Sequence, residues 1–175
     1  MKTLIAVDFQ VDFGVREFSH AALPVPHAPE ALMNCVNILD NYDLVIATQD
    51  WHPKGHCSFK KWPPHCIQGT YGSDLPYELF RKTHVIVRKG YLKDSDSYSG
   101  FYVGDDVTTG LVNMLHEKCV TEIDICGLAI DYCVRETALD ALMFGFKVNL
   151  ILNASAGLDP LPTIEHLYKS GVNLK

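Results

Sequence analysis

The sequence predicts a doubly wound, Rossmann-like three-layer α/β fold: a mostly parallel sheet of about six strands in the order 3-2-1-4-5-6, with helices on both faces. Short β-branched and apolar runs alternate with amphipathic stretches along the whole chain, as expected of parallel strands joined through helices. No repeat, linker or low-complexity stretch divides the 175 residues, which read as one domain over 1–175. Reactive side chains fall where the apolar runs end, the edge at which such sheets bind ligands.

The first strand is read at 3–9, with Leu4-Ile5-Ala6-Val7 closed by Asp8. A helix at 28–41 follows, carrying Leu32, Cys35, Val36 and Leu39 on one face. The second strand, 43–48, runs into an irregular stretch at 51–76 rich in Pro, Gly, His and Cys; a loop this long in a compact domain usually serves function. Strand three is 84–88. A helix at 105–119 displays Val107, Leu111, Met114 and Leu115. Strand four, 121–128, leads into a helix at 131–144 with Val134, Ala138, Ala141 and Leu142 on one face. Strand five is 147–153, a short helix at 161–170 stops at Gly171, and a last strand lies at 172–174.

On this plan Asp8 lies near the end of strand one, Asp50 and His52 follow strand two, Lys89 ends strand three and Cys133 follows strand four. Strands one and four are neighbours at the switch point, so Asp8 and Cys133 face each other across the crevice. A thiol in the first turn of a helix sees oriented N–H groups that favour the thiolate and can hold an oxyanion. The plain alternative is a small core residue, the reading kept for Cys35, Cys119 and Cys126. Asp8 closes an apolar strand, where a carboxylate is costly unless partnered; its role is proton acceptor, its alternative a turn or cap. Lys89 is either a solvated strand end or the cation that keeps Asp8 ionised and favours the thiolate. Asp50, His52, His56 and His65 share the irregular stretch, and carboxylate with imidazoles suits Zn, Mn or Fe. His20, His27, His84, His116 and His166 have no such company.

A net charge of −6 without a Lys/Arg run argues against nucleic acid as a partner. No apolar stretch approaches the roughly 20 residues of a membrane span. The apolar start is broken by Asp8 with no cleavage site after it, so a signal peptide is not expected. Six cysteines without C-x-x-C spacing fit a reducing cytoplasm better than a disulfide framework. No dinucleotide fingerprint, P-loop or G-x-S-x-G elbow follows any strand.

Several segments, in order, resemble the nicotinamidase/pyrazinamidase group of the isochorismatase-like cysteine hydrolases. They are Val7-Asp8-Phe9-Gln10 with Asp12-Phe13, Thr48-Gln49-Asp50-Trp51-His52-Pro53 with His56, and Trp62-Pro63-Pro64-His65-Cys66. Arg88-Lys89-Gly90 leading to Asp96-Ser97-Tyr98-Ser99-Gly100, and Gly127-Leu128-Ala129 with Asp131-Tyr132-Cys133-Val134, complete the set. The resemblance implies a triad of Asp8, Lys89 and Cys133, and metal ligands Asp50, His52 and His65, with His56 a further ligand in some members. It implies pocket walls from Phe13, Trp62 and Tyr98, an oxyanion hole from the Ala129 and Cys133 N–H groups, and a cis peptide preceding Ala129. It also implies one divalent metal ion, zinc first with iron or manganese as alternatives. The expected substrate is a small aromatic amide, nicotinamide or pyrazinamide, and the assembly is open, a homo-oligomer being one option. The alternatives are another small amide or carbamoyl substrate, or a non-catalytic metal-binding protein. One stretch departs from the family pattern: Val11 and Gly14-Val15-Arg16-Glu17-Phe18-Ser19-His20 stand where an Asn and a Pro-Gly-Gly segment are common, which bears on one pocket rim.

Overall fold

The computed structural model describes residues 1–16 and 20–175. Glu17, Phe18 and Ser19, the middle of the departing stretch, lie outside the described residues. Six parallel strands form the sheet: β1 (Thr3–Val7), β2 (Leu44–Asp50), β3 (Val85–Lys89), β6 (Glu122–Gly127), β7 (Lys147–Ser155) and β8 (Asn173–Leu174). Their order is β3-β2-β1-β6-β7-β8. With the small hairpin of β4 (Tyr102–Gly104) and β5 (Val107–Thr108) set apart, this is the predicted 3-2-1-4-5-6 order.

Every residue of β1 is buried, because helices cover both faces of the sheet. Ile5 pairs with Ile46 on one side and Ile125 on the other. These isoleucines pack with Leu111 and Leu115 of α3 (Leu111–Glu117), Ala138 and Ala141 of α4 (Arg135–Met143) and Leu167 of α5 (Pro160–Lys169). Leu4, Ala6, Val45 and Cys126 point the other way, onto Ala31, Leu32 and Cys35 of α1 (Ala28–Ile38). A remaining single turn, α2 (Tyr77–Phe80), precedes β3.

Three elements differ from expectation. The helix read at 105–119 begins only at Leu111, after Gly110 in the left-handed region; the β-branched Val107 and Thr108 pair with Gly104 and Tyr102 instead. Strand β2 runs on to Asp50, so Asp50 sits in register opposite Lys89 rather than in the following loop. The helix read at 131–144 starts as a π-helical turn, Ile130–Val134, and becomes α-helical at Arg135. The stretch at 51–76 is largely irregular, with 3-10 turns at Cys57–Lys60 and Tyr71–Ser73 and a bridge between His52 and Ile67. Among the described residues no helix is long and apolar enough to cross a membrane.

Candidate active site

The sheet order and parallel register put the carboxyl ends of β1, β2, β3 and β6 on one edge, and four reactive groups meet there. Asp8 follows β1 with φ 49° and is fully buried. Thr48 of β2 fixes it, donating from Oγ1 to Asp8 Oδ1 at 2.6 Å and accepting the Asp8 N–H at 3.1 Å. Lys89, also fully buried, lies 2.9 Å from Asp8 Oδ2, 2.5 Å from Asp50 Oδ1 and 3.5 Å from Cys133 Sγ. Asp8, Asp50 and Cys133 each bring one donor atom within 4.8 Å of the others.

The electrostatics differ from the expectation in one respect. Burial raises Cys133 well above the usual thiol value; the Lys89 charge pulls it back, and the Asp8 and Asp50 charges push it up. Burial likewise raises Asp8 against the pull of Lys89. Asp50 is the carboxyl held ionised: burial opposes it, but Lys89 and His52 bring it far below the usual range. Burial alone would lower Lys89, yet Asp50 and Asp8 hold it well above the usual lysine value. Lys89 therefore serves Asp50 as much as Asp8, and the resting nucleophile is a thiol. The Asp8 carboxylate, with Oδ2 2.9 Å from Lys89 Nζ, is also within hydrogen-bonding reach of the Cys133 thiol, whose proton it would take.

Asp50, His52 and His65 bring one donor atom each within 4.8 Å of one another. Their supporting bonds fit a cation. His52 Nδ1 lies 2.8 Å from the Gly90 carbonyl, and His65 Nδ1 lies 2.8 Å from the Pro63 carbonyl. Each Nδ1–H donates to its carbonyl, which leaves both Nε2 lone pairs for a metal. Gln10, fully buried, donates to the Asp50 carbonyl and accepts the Asp50 N–H, both at 2.8 Å, so it sets where Asp50 stands. Asp12 accepts the Cys66 N–H at 2.7 Å beside His65. These donors can hold a divalent cation.

His56 is placed differently from the other two histidines. Its ring stacks on His52 at 4.1 Å, its Nε2 lies 3.1 Å from the Ser95 carbonyl and its Nδ1 accepts the Ser58 N–H at 3.3 Å. His56, His52 and Asp96 also bring one donor atom each within 4.8 Å of one another, so His56 stands beside the first cluster as a further group able to reach a cation.

A pocket of about 550 Å³, counted to its open mouth, lies over these groups. Phe13, Trp62 and Tyr98 line it as expected, and Asp50, His52, His65, Ala129 and Cys133 form its floor. Phe13 packs on His65 at 5.6 Å, and the Trp62 indole N–H donates to the Tyr98 hydroxyl at 3.1 Å. The peptide bond between Leu128 and Ala129 is cis. Sequence reasoning missed Tyr132, Asp96 and Leu158 as lining residues, and Gln10 and Thr48 as supports. Tyr132 was within sight as the neighbour of Cys133, and Thr48 and Gln10 as polar residues beside buried acids. Leu158 carries no local signal.

A thiol, a carboxylate and an ammonium group buried at the switch point of a doubly wound sheet, beside a cation-holding cluster, define an α/β hydrolase of the cysteine-dependent class. The chain belongs to the isochorismatase family, whose domain model, described as "Isochorismatase domain", matches residues 2–167. It is 34% identical to the nicotinamidase/pyrazinamidase of Mycobacterium tuberculosis, over 95% of this chain and 92% of that protein. It superposes on PnC1 from L. infantum in complex with nicotinate with a TM-score of 0.91, at 35% identity over 100% of this chain and 92% of that one. The pyrazinamidase of Pyrococcus horikoshii in complex with zinc gives 0.85 and 35%, over 99% and 98%.

Proposed function

We propose that this chain hydrolyses a small aromatic carboxamide, nicotinamide foremost and pyrazinamide with it, to the carboxylic acid and ammonia. The observation that carries this is the meeting of Asp8, Lys89 and Cys133 under a flat-walled pocket beside Asp50, His52 and His65. The relatives named as nicotinamidases support the choice of amide.

Asp8 takes the thiol proton as Cys133 Sγ attacks the carboxamide carbon, which places charge on the amide oxygen. The Ala129 and Cys133 backbone N–H groups hold that oxygen, each worth about 3 kcal/mol if it behaves as oxyanion donors elsewhere do. Asp8 returns the proton to the leaving nitrogen, the C–N bond breaks and ammonia departs, leaving a thioester on Cys133. Water, deprotonated by Asp8, then cleaves the thioester to the acid and restores the thiol. Lys89 keeps its charge throughout and steadies each anion in turn. Phe13, Trp62 and Tyr98 orient a planar ring. Asp50, His52 and His65 would hold a divalent ion, which when bound would supply a Lewis-acid contact for a ring nitrogen; zinc is our choice, with iron and manganese as alternatives. Two further expectations belong to this reading: residues 1–175 form a single hydrolase domain, and the enzyme works in the cytoplasm.

Ammonia release from nicotinamide, pyrazinamide and benzamide at equal concentration tests the proposal. The first two are expected to be cleaved. Benzamide, with no ring nitrogen for that contact, is expected to be cleaved far more slowly. Benzamide cleaved as fast as nicotinamide removes the metal from recognition. Inert nicotinamide moves the chain to another small amide or carbamoyl compound.

A further inference from the structure

The segment between β7 and α5 is tied to the nucleophile turn at two points. Ala156 exchanges backbone bonds with the turn, its N–H donating to the Gly127 carbonyl at 3.1 Å and its carbonyl accepting the Ile130 N–H at 2.8 Å. Beyond it, the chain is held by one side chain. The Asp131 carboxylate accepts the Leu158 N–H at 3.0 and 2.9 Å and the Asp159 N–H at 2.9 Å. Gly157 passes so close to Asp131 Oδ1 that a Cβ would not fit there. Asp131 thus gathers two consecutive N–H groups from a loop 27 and 28 residues away, two positions before Cys133. What it holds in place matters to the pocket: Leu158 forms part of the wall, together with Phe13, Leu23 and Val25. Leu158 is nevertheless 47% exposed, so little but this clasp fixes it.

We propose that Asp131 is a positioning residue that clasps Leu158 against the pocket, and that Leu158 in turn limits the ring substituents the enzyme accepts. The proposal rests on the amide-hydrolase reading and deepens it, by naming what sets the substrate class. An apolar wall at the mouth favours an unsubstituted planar ring and collides with one bearing an alkyl group on the side facing it. Removing the wall, or letting it swing away, admits the larger ring at some cost to the smaller.

The test compares the metal-loaded wild type with D131N, L158A and the double variant, on nicotinamide and on alkyl-substituted nicotinamides. Asn matches Asp in size but offers a single acceptor oxygen where two N–H groups converge. L158A is expected to raise kcat/KM for the best-accepted substituted amide relative to nicotinamide by about 10-fold, the lower end of what apolar packing gives a binding pocket. D131N is expected to move the same ratio in the same direction, mainly through KM, and the double variant to match L158A alone. A D131N variant that lowers kcat for all amides alike, or whose effect adds in full to that of L158A, overturns the proposal, since Asp131 would then serve only the Cys133 turn. Hydrogen exchange at the Leu158 and Asp159 amides reports the clasp whatever the substrate. It is expected to be at least about 10-fold faster in D131N, and unchanged exchange overturns the clasp. Wild-type enzyme that releases no ammonia from any of these amides overturns the amide-hydrolase reading instead, leaving the exchange result to judge the clasp.

Discussion

Cys133→Ala is expected to abolish ammonia release from nicotinamide, a loss on the order of 10⁴-fold or more, as when the nucleophile of a catalytic unit is removed. The loss is expected to be chemical and not structural. Cys133 sits buried at the head of the turn before α4, and removing Sγ leaves Lys89 still paired with Asp8 and Asp50. No buried charge is uncovered, so unfolding curves and metal content are expected to stay close to wild type. Cys133→Ser sharpens the result: it keeps the volume and a polar atom but replaces a thiol with a hydroxyl that Asp8 cannot usefully deprotonate. Ammonia assays on both variants, beside their melting curves, read the outcome. Substantial activity in the alanine variant means that another group attacks the amide.

Asp8→Asn is expected to cost about 10²–10⁴-fold in rate, the range typical of a general acid–base group. The pH profile carries the more specific signal. Burial raises both Asp8 and Cys133, so the pair shares one proton over a broad range between their two values. As pH falls through the raised Asp8 value, a second proton binds and the acceptor is lost, so activity drops on the acid side. As pH rises past the thiol value, the shared proton itself is lost and the leaving nitrogen has no donor. The acid limb is therefore expected at higher pH than for an ordinary aspartate, and it should vanish in Asp8→Asn, whose residual rate no longer depends on that group. An unchanged acid limb in the variant would assign it to another residue. Lys89 retains Asp50 in this variant, so the fold is expected to hold.

The fold was legible because its central strand is buried on both faces and therefore reads as a continuous apolar run, Leu4-Ile5-Ala6-Val7. The meeting of Asp8, Lys89 and Cys133 followed from sheet order alone, since parallel strands bring their carboxyl ends to one edge. Finer features were not legible, for identifiable reasons. That Lys89 would also serve Asp50 depends on the register of β2 against β3, which places Asp50 opposite Lys89; β2, buried at every residue, carries no alternation that would set that register. The state of the thiol depends on how completely its turn is buried. Position at a helix start favours the thiolate, and burial acts against it. His56 fell in the right loop, but that its ring stacks on His52 and comes together with Asp96 is a matter of tertiary contact. Leu158 is brought to the pocket by a carboxylate far away in sequence, and a loop leucine carries no periodic signal.

That Cys133 is the nucleophile of an amide hydrolase is tested most directly by catching the covalent intermediate. Wild-type enzyme mixed with nicotinamide, quenched in acid within the first turnovers, digested and mapped by mass spectrometry is expected to carry a nicotinoyl group on the peptide containing Cys133. The group should be lost on treatment with hydroxylamine, as a thioester is, and absent from Cys133→Ala. Ammonia release at full rate with no acyl group on Cys133, under conditions where a thioester survives, would contradict it.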